Sequence, residues 1–187
     1  MHRKMGEWVF SHDSLACRPM TSQPFTLVFL ICLMLSFGFA AWLSLRHLRH
    51  IGAHRSAVPA EFRDAITLEA HQKAADYTIA RNRLGLLESG VDVLLLLALT
   101  LGGGLMLIAQ IAASQLSHPY AVGLAIFAGL GVVSSLVSTP FDLYRTFVIE
   151  NRFGFNKMTW QLYLLDMLKG LALSAAIGIP LLLIVFW

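Results

Sequence analysis

From Phe25 to Leu45 the chain reads FTLVFLICLMLSFGFAAWLSL, an apolar run without a single charged residue. As a helix rising about 1.5 Å per residue, it reaches across a hydrocarbon core of about 30 Å. No other feature restricts the fold as much. A backbone in hydrocarbon must satisfy its own N–H and C=O groups, which leaves helices or closed barrels. Three further windows follow: Val93 to Leu116, Ala121 to Phe141, and Leu162 to Trp187, the last carrying only Asp166 and Lys169 in its first turns. Charged residues make up 13% of the 187, against about a quarter in a soluble domain. The pattern predicts an all-α, polytopic membrane protein with four transmembrane helices (25–45, 93–116, 121–141, 162–187) plus one cytoplasmic helix over 59–90.

The first run has a rival reading as a signal peptide, since Gly38-Phe39-Ala40 offers a small-x-small cleavage pattern. It is longer than an ordinary signal core, and Arg46 and Arg49 follow it as a stop-transfer flank. A retained helix is therefore expected. Residues 1–24 form an unpatterned tail, in which Met20 is an alternative start. A bond between Cys17 and Cys32 would need both at one membrane depth, and no zinc-type cysteine spacing exists.

Loop charges orient the chain. The 46–92 segment holds Arg46, Arg49, Arg55, Arg63, Lys73, Arg81 and Arg83. The link around Ser117-His118-Pro119 has neither Lys nor Arg, and 142–165 holds Arg145, Arg152 and Lys157. By the positive-inside rule, 46–92 and 142–165 are cytoplasmic and both termini face outward; the membrane is expected to be of the bacterial inner (plasma) type. The net charge of +3 is too small and dispersed to suggest nucleic acid. Pro59 suits a first helical turn, with Glu61 and Asp64 favouring the positive end of the helix dipole. Phe62, Ile66, Ala70, Ala74, Tyr77 and Leu84 then recur at helical spacing, a mildly apolar face suited to packing on another part of the molecule.

His47, His50 and His54 share a face if the first helix continues, which is compatible with metal or haem. The competing reading is a basic collar, with Arg46, Arg49 and Arg55 meeting anionic lipid headgroups. Gly52 weakens the helix between the last two histidines and favours the collar. The 187 residues contain no H-E-x-x-H, no G-x-S-x-G and no phosphate-cradling glycine loop. Asp166 and Lys169, at i and i+3, read as a cap at the membrane entry or as an intramembrane ion pair.

The polar chemistry concentrates in FVIENRFGFNKMTW, Phe147 to Trp160. Glu150 and Arg152 sit at i and i+2, point apart on a helix, and so suit partners elsewhere. Gly154 between Phe153 and Phe155 marks a sharp reversal. Asn156 is expected to cap the following helix, beginning within 156–159. The segment reads as a cytoplasmic elbow whose charges need partners.

Tyr144-x-x-Phe147-x-x-Glu150-x-Arg152-Phe153-Gly154-Phe155-Asn156-x-x-Thr159, followed by Asp166-x-x-Lys169, resembles the amino-terminal membrane region of the type I CAAX prenyl endopeptidases. KAADYTIARNRLGLLESGVD, Lys73 to Asp92, resembles the segment leading into that family's second membrane helix. The likeness covers 25–187, read as one amino-terminal membrane domain. It implies an integral-membrane zinc metalloendopeptidase with a large intramembrane chamber. The family's zinc is held by H-E-x-x-H and a more distant glutamate, downstream of the matched region. The resemblance therefore assigns no catalytic or metal-binding residue and no cofactor to this chain, and zinc belongs to the full-length family. It gives Glu150, Arg152 and Asn156 a metalloprotease portion to face.

The wholly apolar ending Leu181–Trp187 suggests a chain that continues beyond it, although Trp187 would also serve as an interface anchor. The leading expectation is the amino-terminal half of such a protease. It would contribute chamber wall and docking elbow, with the lipid bilayer, a carboxy-terminal metalloprotease half in the same or a separate chain, and a peptide substrate as partners. The alternative is a non-catalytic scaffold or one subunit of a split protease. A transporter is disfavoured, because one ionisable pair near a membrane entry leaves no polar path across the bilayer.

Overall fold

The structure, a computed structural model, describes residues 22–186, and all regular elements among them are helical. Most of the expected tail, with Cys17 and Met20, lies outside the described residues, as does Trp187. Contacts divide the chain between Ser36 and Phe37. In the first unit the described residues, 22–36, are one run of helix. They open α1, Ser22–His54, which continues in the second unit well past the expected boundary at Leu45, through Arg46 and Arg49, and stops one residue before Arg55.

The expected helix from Pro59 needs correction. Pro59 opens only a single 3₁₀ turn, Ala60–Phe62, closed by the Phe62 N–H donating to the Pro59 carbonyl at 3.0 Å. The long helix, α2, starts nine residues after Pro59 and spans Leu68–Thr100. Thr67 is its cap, extended at φ −70° and ψ 152°, and its hydroxyl accepts the Ala70 N–H at 3.2 Å. No proline or left-handed glycine interrupts α2, so the expected cytoplasmic helix and the start of the second span form one rod.

That rod breaks at the glycine run. A Cβ on Gly102 would lie 2.6 Å from the Ala98 carbonyl oxygen, and Gly103 adopts φ +77°. Beyond the break α3, Gly104–Gln115, leaves at 55° to α2. The expected span over 93–116 is thus two helices. The Gly102-Gly103-Gly104 run stops one helix and turns the chain into the next.

Pro119 occupies the first turn of α4, Pro119–Leu143, where its missing N–H is no loss. The helix passes Pro140 and runs two residues beyond the expected boundary at Phe141. Beyond it the Tyr144 N–H is shared between the Phe141 and Pro140 carbonyls, and the chain widens into a π-helical segment over Tyr144–Glu150. α5, Trp160–Phe186, closes the described chain with Pro180 inside it.

Three of these helical stretches, Gln23–His54, Pro119–Glu150 and Trp160–Val185, are long and apolar enough to cross a membrane, and the bent α2–α3 pair makes a fourth if its halves form one span. α3 packs on α4, and α2 meets α3, α4 and the π segment. Core is scarce: Val58, Ala75, Leu84, Ala112 and Ile149 are the buried apolar residues among those described, while Leu136 and Ile184 are each 70% exposed. Such faces need lipid or protein cover.

Candidate functional site

The elbow between the π segment and α5 gathers the motif residues. The Glu150 carbonyl accepts the N–H groups of both Phe155 (2.9 Å) and Asn156 (3.2 Å), drawing 150–156 into a closed loop. The reversal rests on Gly154 at φ +71°, where an L side chain is strained. The Asn156 side-chain oxygen accepts the Met158 N–H at 2.6 Å, a local Asx turn. Asn156 is therefore not the cap of α5. Thr159 is, its hydroxyl accepting the Leu162 N–H at 3.3 Å. The helix begins at Trp160 because Thr159 satisfies one of its free N–H groups, whereas Asn156 spends its oxygen inside the elbow.

Two aromatic clusters fasten this loop. Phe147 lies flat on Trp160, ring centroids 4.0 Å apart and planes 8° apart, with Tyr163 edge-on to Phe147 at 5.8 Å. Tyr77, from α2, stands edge-on to both Phe153 (5.7 Å) and Phe155 (5.0 Å). The Lys73 ammonium sits over Phe155 at 5.4 Å, and the Arg152 guanidinium over Phe153 at 5.9 Å.

Below the elbow, Arg145 donates to Glu88 of α2 and, at 2.8 Å, to Asp142. Proline interrupts the regular bond pattern at 140, and the widened turn that follows carries Arg145 and the buried Ile149 to the flank facing α2. Above it, Arg55 forks onto Asp76 with two bonds of 2.7 Å. Arg55 follows the first apolar span, and Asp76 lies in the charged first half of α2, beside Lys73 and ahead of Arg81 and Arg83. Their hydrogen bonds hold the Asp76 carboxyl below its ordinary range and raise the guanidinium further.

The structure thus brings Tyr144, Phe147, Glu150, Arg152, Phe153, Gly154, Phe155, Asn156 and Thr159 onto one short stretch backed by α2. Asp166 and Lys169 lie apart on exposed α5, 4.0 Å from each other. Of the collar arginines, Arg46 lies over Trp42 at 5.7 Å, Arg49 is exposed, and Arg55 is engaged by Asp76. Tyr77 was legible only as a member of a mildly apolar face. The Arg145–Glu88 and Arg55–Asp76 pairs carry no local signal in the sequence.

His54 donates from Nδ1 to the His50 carbonyl at 2.9 Å, and His71 from Nε2 to the His54 carbonyl at 3.1 Å. These ring nitrogens are spent on backbone. Among the described residues no three His, Cys, Asp or Glu side chains form a group able to hold a metal. The residues here do not fit a zinc ion.

The chain is therefore a polytopic membrane protein, helical in all the regular elements of its described residues, with a structured polar elbow before α5. Residues 47–187 match the family described as CAAX prenyl protease N-terminal, five membrane helices, and the chain belongs to that family. It is 30% identical over 163 residues to a CAAX prenyl protease 1 homolog of Caenorhabditis elegans, covering 86% of this chain and 36% of that relative. With CAAX prenyl protease 1 of Saccharomyces cerevisiae it shares 51% identity over 53 residues, 28% of this chain and 12% of the relative. The crystal structure of S. mikatae Ste24p superposes with a TM-score of 0.78 at 27% identity, covering 86% of this chain and 38% of that one. The chain spans about a third of the length of the relatives it matches over most of its own, from 30% to 38%.

Proposed function

We propose that this chain forms the membrane wall and docking elbow of a CAAX prenyl protease-like zinc metalloendopeptidase. The zinc-binding portion would come from residues other than these 187, in the same polypeptide or in a second one. Membership of the family supports this reading, as does the absence of H-E-x-x-H from the sequence. The observation that carries it is the bracing of the elbow: Tyr77 holds Phe153 and Phe155, and the Glu150 carbonyl closes the loop. Exposed Arg152 and Lys157, with Glu150 and Asn156, are thereby presented on a fixed turn. A preorganised surface of this kind binds without a large ordering cost. The elbow and the 46–92 segment would lie on the cytoplasmic side and the termini outside, in a bacterial-type inner membrane, with a peptide as substrate of the assembled enzyme.

The test is Arg152→Lys in the assembled protease. Lysine keeps the charge but loses the planar fork that a carboxylate recognises. Peptide cleavage should fall while the isolated chain melts unchanged. Cleavage and assembly both at the native level would remove Arg152 from the dock.

A further inference from the structure

Between α2 and the π segment lies a groove of about 260 Å³. Its floor is buried Leu84 and Ile149. Exposed Leu87, Tyr144 and Val148 line the end nearer the apolar windows, at 66%, 50% and 46% exposure. Arg83 and Arg152 line the other end, both exposed. The two elements run in opposite directions along the groove, yet both change from cationic to apolar in the same sense. On α2 the order is Arg83, Leu84, Leu87 and then the uncharged stretch from Val93. On the π segment, read backwards, it is Arg152, Ile149, Val148, Tyr144 and then α4. No acidic side chain lines the groove, because Glu88 and Asp142 both turn to Arg145.

We infer that this groove is a binding site for one anionic phospholipid. Its phosphate would sit between the Arg83 and Arg152 guanidiniums, with the upper acyl chain along Leu87, Val148 and the Tyr144 ring. The charge supplies the head specificity, and the shared polarity of the two walls supplies the direction. A soluble anion would meet the arginines but leave the apolar end uncovered. This site is distinct from the arginine collar of α1, and it adds to the docking reading without resting on it. Arg152 belongs to both surfaces, Arg83 to the lipid site alone.

The experiment is native mass spectrometry of the chain released from nanodiscs of phosphatidylglycerol or phosphatidylcholine, with glycerol phosphate as tail-less competitor. One phosphatidylglycerol should remain bound in preference to phosphatidylcholine, and glycerol phosphate should not displace it. Arg83→Gln should weaken retention about fivefold, and the Arg83→Gln/Arg152→Gln pair roughly twenty-five-fold, the effect of about one unit of headgroup attraction per cation. Arg81→Gln, off the groove, should change nothing. Equal retention of the two lipids, loss to glycerol phosphate, or a double variant that retains lipid as the native chain does would each overturn the site. So would a polypeptide found seated on Arg83 in the assembled protease. Arg83→Gln should leave peptide cleavage intact where Arg152→Lys lowers it, which separates the failure of this site from failure of the dock.

Discussion

Arg145 reaches back across 57 residues to Glu88, joining the π segment to α2 through half-buried side chains 26% and 22% exposed. Asp142 holds the other arm of the same guanidinium at 2.8 Å. One cation therefore neutralises two carboxylates. Arg145→Ala should destabilise the chain by about 1–3 kcal/mol, since it strands two charges. Glu88→Gln, which leaves the Asp142 pair in place, should cost less. Unfolding in graded denaturing detergent checks the order, and equal losses would contradict the shared-cation account.

Gly154 is required for its backbone and not for space. A Cβ there would meet only the Lys73 ammonium, at an ordinary 3.7 Å, while φ is +71°. Gly154→Ala should cost about 1–2 kcal/mol, and Gly154→Asn less, because asparagine tolerates the left-handed region. Melting of the two variants separates strain from crowding.

The α3–α4 contact has the opposite logic. A Cβ on Gly129 would come within 2.8 Å of the Ile108 Cγ2, a stiff β-branched methyl, whereas one on Gly131 meets nothing within 4 Å. Gly129→Ala should therefore cost about 1–3 kcal/mol, with Gly131→Ala near neutral. Ile108→Ala should cost less in the Gly129→Ala background than alone, which a double-mutant cycle of unfolding free energies reads directly.

Arg55 and Asp76 give the loop at the end of α1 an acid-sensitive tie. The Asp76 carboxyl is held below its ordinary range, so its stabilising effect is complete above the unfolded carboxylate pKa and is lost as pH falls through the lowered folded value. The pair is 44% and 40% exposed, so salt should weaken it as well. The melting difference between the native chain and Asp76→Asn should shrink towards zero in acid. A difference that persists below that range would contradict the tie.

Apolar windows made the all-helical, membrane-crossing architecture legible, because hydrocarbon allows a backbone few alternatives. Residue order within the windows was less informative. Gly102–Gly104 could serve close helix packing or end a helix, and only the clash with the Ala98 carbonyl and the left-handed Gly103 decide it. Pro59 and Pro140 each look like boundaries, yet Thr67 caps α2 and α4 runs on into the π segment. In the elbow, residue types announced a turn with exposed charge. What holds it, Tyr77 and the Arg145–Glu88 bond, comes from α2, and contacts at that separation leave no trace in one sequence.

The central claim is that the braced elbow grips a metalloprotease portion. A photo-crosslinking amino acid at exposed Lys157 in the assembled protein, with Leu136 as the membrane-facing control, tests it most directly. The account predicts that Lys157 yields a crosslinked peptide from the polypeptide bearing H-E-x-x-H, and that Leu136 yields lipid. Reaction of Lys157 with solvent alone, together with fast amide exchange over 150–156, would contradict it.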